Sequence, residues 1–237
     1  MCPHGRRLIN GDGGLLDRAR LVCHCLLLER PDGLVLIDTG FGLDDMANTR
    51  QLGRIFDTLF APQPREHETA VEQVRALGYQ AQDVRRIVVT HLDVDHAGGL
   101  PDFPGADVHV LAAELDAALS PGLRERERYV KAHWAHGPRW VRHEPDGDSW
   151  LGFESVRVLA ADDEIALVPL YGHTRGHAGI AVKRADGSWL LHCGDAFFHR
   201  GEMQMPPSCP PGLRAFQNVN SVDNGARKRN SERLREL

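Results

Sequence analysis

No apolar stretch of this chain approaches the roughly 20 residues that a membrane-spanning helix needs. Met1-Cys2-Pro3-His4-Gly5-Arg6-Arg7 is followed by no signal-type apolar core, so a cytoplasmic location is expected. Positive charge is not in excess either. Twenty-eight Lys and Arg face 33 Asp and Glu, and the net charge of −5 gives no support to nucleic-acid or anionic-membrane partners. The five cysteines form no Cys-x-x-Cys pair, which excludes a disulfide framework or a zinc knuckle as organising principle. Cys23-His24-Cys25 lies in a β-type run, where alternate thiols act as small buried hydrophobes. No repeat or low-complexity linker divides the sequence. With 42% hydrophobic residues, 237 residues can bury one large core or two packed layers, and we read a single domain, 1–237.

Strand and helix signals alternate along the chain. Residues 21–28 and 34–37 flank the turn Pro31-Asp32-Gly33 and read as a hairpin. Residues 66–77 have helical spacing that ends at Gly78, and 86–90 is the next strand. Residues 111–119 and 124–134 read as helices. Residues 156–159, 165–168, 179–183 and 188–192 read as strands, and Leu213, Phe216, Val219 and Val222 share one face of a final helix. Strands dominate with helices interspersed, a pattern that suits two face-to-face sheets with helices outside.

Against that background one segment stands out. His91-Leu92-Asp93-Val94-Asp95-His96 packs two imidazoles and two carboxylates behind an apolar β-type run. His91, Asp93 and Asp95 can converge on one side of an extended loop, with His96 turned to a neighbouring point. Close carboxylates repel and buried charge is poorly solvated, so the cluster must be paired, solvated or bound to a cation. A solvated polar loop is the bland alternative. Three other sites argue for the cation. Gly172-His173-Thr174-Arg175-Gly176-His177, Gly194-Asp195 and Asp38-Thr39-Gly40 each begin just past the end of an expected buried strand, where loops on a rigid scaffold carry function.

In order and spacing these four elements resemble the metallo-β-lactamase superfamily, and in particular its branch of acyl-homoserine lactonases and glyoxalase II-like hydrolases. The resemblance covers nearly the whole chain. It implies an α+β, four-layer αββα sandwich. Two departures accompany it. The family's element is His-x-His-x-Asp-His, and its second histidine is here Asp93. The family also carries a further histidine ligand near its C-terminus, whereas this sequence beyond Asp195 has only His199, too close to serve. The fold is therefore expected to lack its C-terminal strand, and the domain to be incomplete there.

The resemblance implies two divalent metal ions, zinc first, with iron or manganese admitted by the oxygen-rich donor set. His91, Asp93 and His173 would form one site; Asp95 and His96 would begin a second, weaker one, with Asp195 bridging. Asp95 would also orient the attacking water or take its proton. Asp38 is either an outer carboxylate that orients a ligand imidazole or a simple turn aspartate. Three carboxylates and a hydroxide would balance two divalent ions, so Asp93 is expected to leave the centre neutral and its water less acidic. His177 is expected to support its turn and His199 to be a loop residue. Trp134 and Trp140, with His133, His136 and His143, either cover the metal cleft as a substrate wall or merely pack. Phe198 is placed in the same pocket, where the lactonases have a tyrosine that assists the substrate carbonyl; a phenyl ring cannot donate that hydrogen bond. The function implied is hydrolysis of a small ester, lactone or thioester by a metal-bound hydroxide. A di-iron redox protein and a non-catalytic member are the alternatives. A small molecule is the expected partner, and a homodimer is left open.

Overall fold

The computed structural model describes residues 1–146, 149–154, 157–158 and 165–237. Two sheets organise them. The first has the order β1 (Leu26–Arg30), β2 (Gly33–Ile37), β3 (Val84–Val88), β4 (Asp107–Leu111) and β5 (Arg139–His143). Its β1–β2 hairpin is antiparallel, whereas β2 to β5 run parallel. A short hairpin of β6 (Ser149–Trp150) and β7 (Phe153–Glu154) follows. The second sheet is antiparallel, in the order β11 (Trp189–His192), β10 (Ala178–Lys183), β9 (Ile165–Pro169) and β8 (Arg157–Val158). The helices are α1 (Arg6–Ile9), α2 (Leu43–Ala47), α3 (Arg54–Phe60), α4 (Ala70–Ala76), α5 (Val94–Ala97), α6 (Ala112–Leu119), α7 (Pro211–Asn220) and α8 (Asn224–Leu234). Among the described residues no helix is long and apolar enough to cross a membrane.

Side-chain alternation along the strands produces the layers. On β2, Leu34 and Leu36 face a core shared with Val71 and Val74 of α4 and Leu115 of α6, whereas Val35 and Ile37 face the opposite sheet. On β9, Ile165 and Leu167 meet Val35 and Ile37 between the sheets, whereas Ala166 and Val168 face a third core that contains Leu234 of α8. Both faces of β2 and β9 are covered, which is why both read as continuous apolar runs. Helix, sheet, sheet, helix is the expected four-layer sandwich.

Several boundaries differ from expectation. Residues 21–25 are not in a strand, because β2 ends at Ile37 and Asp38 turns away at φ 53, which leaves them without a ladder partner. The expected helix at 124–134 is a series of turns that ends in a 3-10 segment, Lys131–Trp134. Its Arg and Glu residues supply no continuous apolar stripe, and Glu125 caps the turn by accepting the Gly122 N–H at 2.8 Å. The edge strand β5 was hidden by its charges: Arg139 and Arg142 pair with Asp107 and Asp116 at 2.6 and 2.9 Å. Such residues blunt a sheet edge. The C-terminal helix is two helices, and α8 restarts where Asp223 accepts the Ala226 N–H at 2.9 Å. Of the strand expected at 156–159, residues 156 and 159 lie outside the described set.

Candidate metal centre

The ends of four strands bring the motifs together. Asp38 follows β2, His91 follows β3 with one turn of α5 beyond it, His173 follows β9, and Asp195 follows β11. Ligand atoms of His91, Asp93, His173 and Asp195 all lie within 4.8 Å of one another, and this is the one such group among the described residues. Asp195 faces two ways. Its Oδ2 lies 3.2 Å from His173 Nε2 and 3.8 Å from His91 Nε2, and its Oδ1 lies 3.3 Å from His96 Nε2. Asp95 stands beyond, 3.9 Å from the same His96 nitrogen.

A hydrogen-bond chain fixes which nitrogens are bare. Asp38 is fully buried and accepts the Thr90 N–H at 2.7 Å, the Thr90 hydroxyl at 2.8 Å and His96 Nδ1 at 2.8 Å. Thr90 spends its single hydroxyl proton on that carboxylate, so at 2.9 Å it accepts from Nδ1–H of His91. Nε2 of His91 is then the lone-pair nitrogen. It is buried, makes no hydrogen bond, and faces two carboxylates. A bare imidazole nitrogen among anionic oxygens, with its other nitrogen tied back, fits a divalent ion. Asp38 thus contacts His96 directly and His91 through Thr90.

The charges agree. Burial drives Asp93 upward, but Arg128 and His91 outweigh it and hold the carboxyl well below the usual range. Asp195 is likewise depressed, against burial, by His96 and His173. Asp95 goes the other way: burial, reinforced by repulsion from Asp195, raises it despite His96. His96 is raised well above its ordinary value by Asp195 and Asp38, against its burial.

Three supporting residues were not found in the sequence. Glu114 is fully buried in α6. It accepts Leu92 N–H at 3.0 Å, the Tyr129 hydroxyl at 3.1 Å, the Thr174 hydroxyl at 2.6 Å and Gly176 N–H at 3.0 Å, so one carboxylate ties the His91 loop to the His173 loop. A glutamate on the inward face of a helix rich in alanine and leucine was the available signal. Thr90 had no signal except its place before His91. Arg128 had none among the alternating Arg and Glu of residues 124–128; its Nε lies 3.0 Å from Asp93 Oδ1. It also changes the charge count. The centre expected to be neutral with Asp93 has a buried cation against that carboxylate.

A cleft of roughly 1600 Å³ opens over Asp93, Asp95, His96 and Asp195, walled by Phe56, Phe60, Phe198 and Phe216 among others. Phe198 lines it, with its ring centroid 5.7 Å from that of His173. Trp134, His136 and Trp140 do not. Trp134 and Trp140 pack on the core beneath the first sheet, and His136 is exposed on a turn. Residue 140 belongs to β5, on the far side of that sheet, and His133 is drawn inward by Asp45 at 2.9 Å. The wall comes instead from α3, α7 and the segment after Asp195. His199 caps a short 3-10 turn by accepting the Gly201 N–H at 3.1 Å. Cys25 is pushed up to about 12 by burial, as befits an unreactive thiol.

The family model of the metallo-beta-lactamase superfamily matches residues 18–237. The chain belongs to that superfamily. A probable metallo-hydrolase of Mycobacterium tuberculosis is 47% identical over 219 residues, which cover 92% of this chain and 70% of the relative. An N-acyl homoserine lactonase of Azorhizobium caulinodans is 29% identical over 185 residues, covering 76% of this chain and 68% of that protein. Among solved structures, an N-acyl homoserine lactone hydrolase with a product at its catalytic metal centre aligns with a TM-score of 0.72 at 22% identity, covering 99% of this chain and 84% of that one. A quorum-quenching lactonase aligns at 0.65 with 24% identity, covering 90% and 72%. The structural likeness speaks for the fold, and the family and its metallo-hydrolase relatives make this chain a metal-dependent hydrolase. Arg128 stands beside Asp93, one of the two places where the sequence departs from the motif that the resemblance implies.

Proposed function

We propose that the chain hydrolyses a small ester, lactone or thioester, with His91, Asp93, His173 and Asp195 holding one divalent metal ion. Asp195 would be shared with Asp95 and His96, which hold a second. The observation that carries this reading is the buried, unbonded Nε2 of His91 among three further donors. Zinc suits a site of two imidazoles and two carboxylates, and iron or manganese is compatible with its oxygens. When bound, such metal supplies Lewis acidity toward a carbonyl and an acidified water.

The chain's own residues do the rest. Asp95 borders the cleft beside His96, so its carboxylate is placed to accept a proton during attack on the carbonyl. The phenyl walls exclude water and receive the substrate's apolar part. Phe198 beside His173 offers no hydroxyl, so substrate orientation rests on shape and on the metal centre. The lactonase relatives support a lactone as the first substrate to try. The test is a matched set of an N-acyl lactone, an aryl ester and a thioester, assayed before chelation, after it and after metal is restored. Hydrolysis of at least one that falls with chelation and returns with zinc, iron or manganese is expected. Hydrolysis indifferent to chelation and metal return, or none in metal-loaded protein, would overturn the reading.

A further inference from the structure

The Asp93 carboxylate is divided between two environments. Its Oδ2 faces His173 Nε2 at 2.9 Å and His91 Nε2 at 3.4 Å. Its Oδ1 points away, 3.0 Å from Arg128 Nε, in an ion pair too poorly aligned to count as a hydrogen bond. The guanidinium is not free to follow that carboxylate. Its Nη1 donates to the His173 carbonyl at 2.8 Å and its Nη2 to the Asn220 carbonyl at 3.1 Å. Two backbone segments, the His173 loop and the end of α7, therefore set where the cation sits. The side chain is only 10% exposed.

We propose that Arg128 is a positioning residue that makes Asp93 a one-oxygen metal ligand and restores the positive charge that an aspartate at this place removes. The proposal rests on the reading of Asp93 as a ligand. A carboxylate whose Oδ1 is paired with a cation fixed from two other sides is drawn away from chelating with both oxygens. A buried cation beside a dication site is tolerable only with an anion between them, and Asp93 occupies that place. The two residues thus form a unit. Neither half is expected to work with the residue that would suit the other's absence: a neutral imidazole at position 93 leaves the guanidinium buried and unpaired beside the metal. Lysine cannot reproduce three contacts made from one planar fork.

The test measures the zinc dissociation constant by competition with a chromophoric chelator, in the wild type, Asp93→Ala, Asp93→His, Arg128→Met and the double variant Asp93→His/Arg128→Met. Asp93→His alone is expected to weaken zinc binding about 10- to 100-fold, the usual range for a disturbed ligand surround. Adding Arg128→Met to it is expected to recover most of that loss. A merely structural Arg128 would make the double variant worse than the single one, and that result overturns the proposal. Should Asp93→His not fold, as judged by circular dichroism, Arg128→Met carries the test. Freed to chelate, Asp93 should shift the manganese-to-zinc affinity ratio toward manganese by about tenfold; an unchanged ratio overturns the proposal. Asp93→Ala separates the two levels. Zinc bound as in the wild type would remove Asp93 from the ligands and the proposal with it, whereas loss of zinc without rescue in the double variant would remove only the role of Arg128.

Discussion

Nε2 of His177 accepts the backbone N–H of Asp195 at 2.9 Å while its Nδ1–H is donated to the Leu170 carbonyl at 3.0 Å. One buried imidazole thus locks the Asp195 loop to the end of the strand that leads to His173. Burial, with His91 and His173 nearby, holds it well below its ordinary value and therefore neutral. Replacement by leucine leaves a buried carbonyl and a part-buried N–H unmet, at about 1–3 kcal/mol for the carbonyl and less for the N–H. Urea unfolding of His177→Leu should show that loss in the metal-free protein. An unchanged midpoint would mean the loop is held by something else.

Gly194 tests the same anchor from the other side. At φ 49 it has room for no side chain: a Cβ would lie 2.7 Å from His177 Nε2 and 2.9 Å from Thr90 Cβ. Gly194→Ala should therefore displace Asp195 and weaken zinc binding by about 10- to 100-fold. Zinc titration of the folded variant checks this, and wild-type affinity would contradict it.

Glu114→Gln keeps the shape of the side chain but turns part of an acceptor-only group into a donor that faces donors. Four hydrogen bonds converge on that carboxylate. With charge-assisted bonds worth about 1.5–3 kcal/mol, a loss of several kcal/mol is expected. Calorimetry would read it as a fall in melting temperature, and a shift within about 2 °C of the wild type, no more than about 1 kcal/mol gives for a domain of this size, would refute the hub role.

The Asp38–His96 pair gives the metal-free protein a pH window. Despite burial, His96 holds the Asp38 carboxyl below its ordinary 3.8, so that stability is present above this value and is lost as pH falls through the folded pKa. His96 is raised above its ordinary 6.5, so its share is complete below 6.5 and is lost as pH rises through the higher folded value. Breaking such a buried pair from one side costs about 3–5 kcal/mol. The difference in unfolding free energy between wild type and Asp38→Asn should be largest near pH 5 and shrink at both ends. A difference that is flat with pH would show the pair to be unimportant.

The sequence made the layers and the candidate ligand loops legible because both depend on short-range signals. Leu34–Ile37 and Ile165–Val168 are apolar on both faces, and the chemistry-bearing residues follow their ends directly. What it hid are partners chosen by the tertiary fold. Arg128 is one of several arginines in a charged run, and only the docking of that run against the His173 loop selects it. Trp134 and Trp140 looked like a pocket wall because aromatic residues suit pockets and cores alike; the edge strand β5, disguised by Arg139 and Arg142, decides for the core. The real wall, Phe56, Phe60 and Phe216, sits on helices distant in sequence; only Phe216 carried a mark, as part of a helical apolar face, and nothing local tied that face to the cleft.

Metal content tests the central claim most directly. Elemental analysis of the purified wild type, His91→Ala and His173→Ala, each shown to be folded, reads whether this constellation holds metal at all. The account predicts that the wild type retains zinc, iron or manganese after dialysis, and that either substitution removes most of it together with hydrolysis. Equal metal in all three proteins would contradict it.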